Sequence, residues 1–373
     1  MLFACNMMKK LSAVLYVLAL TGILFISCKK NGSTTTPVSA AFPYNIPATY
    51  NFKNVDFSDA TTRLGMLTEI NTVMRGATTG LLNAQYLKDR LPNINNRFTT
   101  AGYNASGLNI KNQSAALMQT DAVRFIDSLV STNTADKIAS RGVPGIGTSS
   151  TNTSNKFALT ANGYNYAQVF AKTMMTGFII YQIDNLLTAG ANLSVDNTNI
   201  IAGYGTQLDH NWDLAFGYWG VPIGFPTDKT GAKFWGTYST LVDSGYKANK
   251  ILTDAYLKGR VAIDNSDVKT AIEQAAIIKE SYEKLVGASA LQAVRETKPI
   301  INDKIALDSK MSEIYGFVYG LKYLPNRKIT DAQISLILDL FPKNFYDVTQ
   351  TNINNIRDAI AAVYGFDSVK TVL

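Results

Sequence analysis

The order of apolar and polar positions is helical along most of the chain. In "SDVKTAIEQAAIIKESYEKLVG" Val268, Ala271, Ala275, Ile278, Tyr282 and Leu285 step by three and four, which lines one face of a helix. Ser266 can cap its start and Gly287 its end. In "TDAQISLILDLFP" Thr330 and Gln333 have capping-box spacing, Ile334, Ile337, Leu338 and Phe341 form the apolar stripe, and Pro342 forbids continuation. Ile353, Ile356, Ile360 and Val363 repeat the pattern up to Gly365. Tyr164 to Gly190 has only Lys172 and Asp184 as charges and is apolar around most of its circumference, so it predicts a central helix enclosed by others. Further helices are expected over 60–75, 79–89, 114–130, 245–259 and 308–322. Alternating strand patterns are scarce, and the fold class expected is all-α.

Two stretches break the pattern. Arg141 to Lys156, "RGVPGIGTSSTNTSNK", is rich in Gly, Ser, Thr and Asn and predicts a long loop. The stretch "AFPYNIPATYNFKNVDFSDATTRLG" has two prolines and recurrent aromatics and predicts an extended arm laid on the surface before the first helix.

The N-terminus reads as a lipoprotein signal peptide over residues 1–27. Lys9 and Lys10 precede an apolar run, Leu11 to Ile26, that closes at Ser27-Cys28. Cys28 is then the lipidation site, residues 28–41 a flexible linker, and 42–373 a single domain. With 46% of the chain hydrophobic, that domain can bury a large core. Cys5 leaves with the peptide, so the mature chain has no disulfide and no cysteine nucleophile or thiolate ligand. Removing Lys9 and Lys10 from the formal +7 leaves +5, scattered rather than clustered, which excludes a nucleic-acid stripe. The partners expected are the membrane, through the lipid, and a metal or iron-bearing ligand.

The chemistry centres on "QLDHNWDLAFGYWG", which holds the only histidine. On a helix, at ~100° per residue, His210, Asp213, Gly217 and Gly220 share one stripe, with Leu208, Trp212, Ala215, Phe216 and Trp219 roughly opposite. The glycines either admit a neighbouring element closely or leave room for a bound group. An imidazole and a carboxylate at i and i+3 can reach one ion or hydrogen-bond to each other.

The ordered motifs "TYNFKNVDFSDATTRLGMLTEI", "LDHNWDLAFGYWG", "GRVAIDN" and "SEIYGFVYGLKYLP" resemble the Bacteroidetes lipoprotein family catalogued as domain of unknown function 4856, from Tyr50 to the end. That family is similar in turn to the imelysin-like proteins. The resemblance implies two packed helical bundles forming one unit, an outer-membrane lipoprotein on the periplasmic face, and a link to iron uptake. His210 matches the histidine of the imelysin signature G-x-H-x-x-E, Asp213 its glutamate shortened by one methylene, and Leu208 stands where its glycine would be. By motif order Glu313, with Ser312 and Tyr315, faces His210 from another helix, or else is a capping or surface carboxylate.

Three readings follow. In the first, His210, Asp213 and Glu313, with Asp209 in reserve, bind Fe or Zn without catalysis, since hard carboxylates and one imidazole suit such ions. In the second, His210 is structural and the protein binds glycans or proteins. The third is a metallopeptidase-like hydrolase, but the second histidine of H-E-x-x-H is missing, as is a G-x-S-x-G elbow. Whether the chain is an enzyme is left open, with binding preferred to catalysis.

Overall fold

The computed structural model describes residues 42–133 and 137–373. The expected signal peptide, Cys28 and the linker over 28–41 lie outside the described residues. The periodic stretches are helices, and among the described residues the fold is all-α apart from one short hairpin. The helices are α1 (Ser58–Arg75), α2 (Ala84–Arg90), α3 (Ala101–Ala105) and α4 (Ala116–Thr132), then the strands β1 (Gly145–Thr148) and β2 (Lys156–Leu159). The chain continues through α5 (Tyr166–Met174), α6 (Tyr181–Leu186), α7 (Gln207–Trp219), α8 (Trp235–Leu241) and α9 (Asp243–Tyr246). It ends with α10 (Ala248–Asp264), α11 (Val268–Arg295), α12 (Lys304–Gly320), α13 (Asp331–Asp339) and α14 (Gln350–Tyr364). Tyr44–Leu373 form one compact unit, and α11 packs against α10, α12 and α14. Among the described residues no helix is long and apolar enough to cross a membrane.

Local signals place several ends where the sequence predicts them. Thr330 and Gln333 close a capping box at the start of α13, and Gly365 ends α14 in the left-handed region at φ 70°. Other ends differ. Asp267, not Ser266, caps α11 by accepting from the Thr270 amide. The helix then runs through Gly287 to Arg295. Gly287 is there for packing: a Cβ at this position would meet the Tyr364 ring at 2.3 Å. The absent side chain seats α14 on α11.

The expected central helix is real but not regular. Between α5 and α6 the backbone widens to a π-helix over Met175–Ile180. Two of the carbonyls in this segment receive donors from outside: Gly177 O accepts from the Ala115 amide at 2.9 Å, and Met175 O from Trp235 Nε1 at 2.7 Å. Outside donors of this kind satisfy backbone groups that a disturbed i→i−4 ladder releases.

The long loop expected over 141–156 is a correction. Residues 145–148 pair instead with 156–159 as an antiparallel hairpin in register Gly145↔Leu159 to Thr148↔Lys156, and only 149–155 of the expected loop connect the two strands. Gly147 belongs there because a Cβ would lie 2.7 Å from the Ile305 side chain on α12. The expected arm is non-helical over 42–57, while its last eight residues, 58–65, already belong to α1, and it does not merely lie on the surface. Tyr50 is buried, donates its amide to Ile223 O and stacks its ring on Phe216 at 3.7 Å.

Candidate functional site

Helix α7 begins with a capping box in which Thr206 accepts from the Asp209 amide and the Asp209 carboxylate accepts from the Thr206 amide. It ends at Gly220 in the left-handed region, φ 81°, two residues before Pro222. Trp212, Ala215, Phe216 and Trp219 are buried as the periodicity requires. The glycine face admits a neighbour, since a Cβ on Gly217 would come within 2.5 Å of Phe57 Cβ, and the cavity of about 200 Å³ that Gly217 and Gly220 line does not include His210.

Asp213 is wholly buried. Its Oδ1 accepts from Tyr50 Oη at 2.7 Å and from Arg260 Nε at 3.0 Å. Arg260, on α10, also pairs through Nη1 with Asp209 Oδ1 at 2.6 Å and with Asp264. One guanidinium thus serves three carboxylates from two helices, while the arm contributes a phenol. Burial pushes Asp213 up to about 7, against the opposing pull of Arg260 and the Tyr50 hydrogen bond. Burial also works against the charge of Arg260, but Asp213 and its neighbours more than offset this and raise its pKa.

His210 is half-buried, and its ring stacks on Tyr204 with centroids 4.0 Å apart. Burial lowers its pKa, with Asp56 and Asp59 pulling the other way. Asp213 faces Arg260 and Tyr50 instead of the imidazole.

Glu313 does not face His210. From α12 it reaches Lys172 of α5 at 3.2 Å and Lys310 at 2.7 Å, and accepts from Tyr238 Oη of α8 at 2.7 Å. Lys310 continues to Glu296 at 2.6 Å. Burial would raise Glu313, but Lys172 and Lys310 together hold it down at about 2.

His210, Asp213 and Glu313 therefore do not converge, and among the described residues no group of three His, Cys, Asp or Glu side chains is placed to hold a metal ion. The donor set does not fit iron or zinc. The cation that Asp213 and Asp209 receive is the protein's own arginine, and those that Glu313 receives are its own lysines. Asp209, the reserve ligand, is spent on its cap and on Arg260.

The Glu313 network opens on a cleft of about 690 Å³, within the ~300–1,000 Å³ of small-molecule sites. Three walls are helical stripes of three- and four-residue spacing: Asn71, Met74 and Arg75 from α1, Gln168, Ala171 and Lys172 from α5, and Phe234, Thr237 and Tyr238 from the start of α8. The fourth is the hairpin from Ser154 to Ala158. At its floor Lys172 Nζ donates to Tyr238 Oη at 2.5 Å. Two features besides the cavity mark this place. Phe234 has φ 48° and ψ −117°, a conformation costly for a residue with a side chain, and such strain clusters at ligand sites. Asn71 is 6% exposed, and its Oδ1 has no hydrogen-bond partner.

A family model described as Domain of unknown function (DUF4856) matches residues 47–367. The chain belongs to this family. Neither the curated proteins nor the solved structures include a match. The matched span holds Tyr50, Arg260, Glu313 and every wall of the cleft. The motifs "TYNFKN" and "GRVAIDN" contain Tyr50 and Arg260, but nothing in them marks a role for either residue. A buried arginine has no periodic signature, although "GRVAID" sets Arg260 and Asp264 four residues apart on one helix face. Nothing local marks Asn71, Lys172 and Tyr238, on three separate elements, as neighbours.

Proposed function

We propose that this chain is a non-catalytic binding protein of the cell envelope and that the cleft between α1, α5, α8 and the hairpin is its binding site. The observation that carries the reading is the Glu296–Lys310–Glu313–Lys172–Tyr238 network, open to solvent at Glu296, buried at Glu313 and ending at the cleft. Charges out of water need compensation from every partner, and a chain of them that fixes the Nζ of Lys172 and the Oη of Tyr238 pre-organises both for a ligand.

The envelope part rests on Lys9, Lys10, the apolar run, Cys28, and the resemblance to Bacteroidetes lipoproteins, with the lipid as membrane anchor. The imelysin-like relation stays a proposal about ancestry. Its iron cargo and any hydrolase chemistry gain no support here, because Asp213 and Glu313 are committed to Arg260, Lys172 and Lys310. His210 is structural in this reading.

The test is a thermal-shift screen of saccharides, oligopeptides and small organic anions against wild type, Ala171→Trp and Gln168→Trp. A compound that stabilises wild type but neither folded variant supports the cleft as the site. If every stabilising compound acts equally on all three proteins, or none stabilises wild type, the reading falls.

A further inference from the structure

The cleft's own chemistry narrows the ligand class, an inference that rests on the cleft being the binding site. We propose that it takes an acidic saccharide: a polyhydroxylated ligand with a carboxylate or sulfate. Arg75, Lys156 and Lys172 line the cleft, and among the described residues lining it there is no carboxylate. Lys172 is balanced by Glu313 behind the wall. Arg75 and Lys156 are exposed and form no ion pair among the described residues. Their uncompensated charge at the rim therefore favours an anion.

Charge alone does not describe the site. The buried Oδ1 of Asn71 is an acceptor without a donor, and a buried acceptor left unpaired is costly. Sulfate or a fatty-acid carboxylate supplies no O–H to it. A sugar hydroxyl supplies one once the Asn71 amide turns towards the cleft that its residue lines, and sugar hydroxyls also both donate and accept, as Thr78, Thr79, Ser154 and Thr237 do along the same walls. Phe157, Phe234 and Tyr238 add the apolar surface against which the C–H face of a pyranose can pack. The ligand class thus follows from three demands met at once: anionic group, hydroxyl donor, apolar face.

Titration calorimetry with trigalacturonate, maltotriose and triglutamate at low salt tests this on the mature chain. Trigalacturonate is expected to bind at least about tenfold more tightly than either control. Its affinity should fall as salt is raised from 50 to 200 mM. It should also fall about tenfold in the double variant Arg75→Gln/Lys156→Gln and in Asn71→Leu, with both variants checked for unaltered helicity. Equal binding of maltotriose, preferential binding of triglutamate, or undiminished affinity in the double variant overturns the saccharide proposal. So does failure of all three probes; the Ala171→Trp screen then shows whether the cleft reading survives without it.

Discussion

Arg260 Nε lies 3.0 Å from Oδ1 of Asp213, and both side chains are withdrawn from solvent. Removing the guanidinium leaves Asp209, Asp213 and Asp264 without their shared cation. An unpaired buried charge typically costs about 3–5 kcal/mol. Arg260→Met should therefore destabilise the chain by that order in urea unfolding, and adding Asp213→Leu should recover part of the loss. A change below about 1 kcal/mol in Arg260→Met would show that water reaches the cluster.

His210 is expected to be dispensable for metal. The purified protein without residues 1–27 and its His210→Ala variant should hold the same amount of iron and zinc by elemental analysis. The substitution should cost only about 0.5–1.5 kcal/mol through the lost stack on Tyr204. Metal bound by wild type and lost from a folded His210→Ala would restore the metal-binding reading.

The buried carboxyls set opposite pH slopes. Burial raises Asp308 to about 7, with Lys304 opposing. The folded chain keeps this proton up to about pH 7, whereas the unfolded chain releases it near the ordinary aspartate value, so Asp308 costs stability as pH rises from about 4 to 7. Asp308→Asn should accordingly gain on wild type over that window, by on the order of 4 kcal/mol at pH 8. Glu313, held at about 2 by Lys172 and Lys310 despite its burial, works the other way. Its contribution is complete above the ordinary glutamate range and is lost as pH falls towards 2. Urea midpoints of wild type, Asp308→Asn and Glu313→Gln at pH 3, 5 and 8 check both signs.

Gly287 gives a packing test. A methyl there would overlap the Tyr364 ring, so Gly287→Ala should destabilise by about 1–3 kcal/mol despite the better helix propensity of alanine. If the collision is the cause, Gly287→Ala should be neutral or stabilising in a Tyr364→Ala background.

Cys28→Ala should move the protein from the membrane fraction to the soluble envelope fraction without altering its unfolding. Continued membrane association of a processed Cys28→Ala chain would sink the lipid anchor.

The sites divide by the range of the signals that specify them. The capping box at Thr330 and Gln333 and the stop at Gly365 lie within one helical turn, so they could be read directly. Gly287 has the look of a helix stop in sequence because its reason, the Tyr364 ring, lies on another helix. The hairpin at 145–148 and 156–159 leaves no sequence signal, because its four-residue strands are too short to show alternation.

For the site, the sequence by itself determined that α7 is a helix with a large apolar face and that His210 and Asp213 lie one turn apart on it. Both follow from a 3.6-residue period and local capping. Only the tertiary structure decided that Asp213 meets Arg260 and Tyr50, that Glu313 meets Lys172 and Lys310, and that a cleft opens between α1, α5 and α8. Charge partners and cavities depend on which helix faces meet across hundreds of residues, and the period of a single helix says nothing about that.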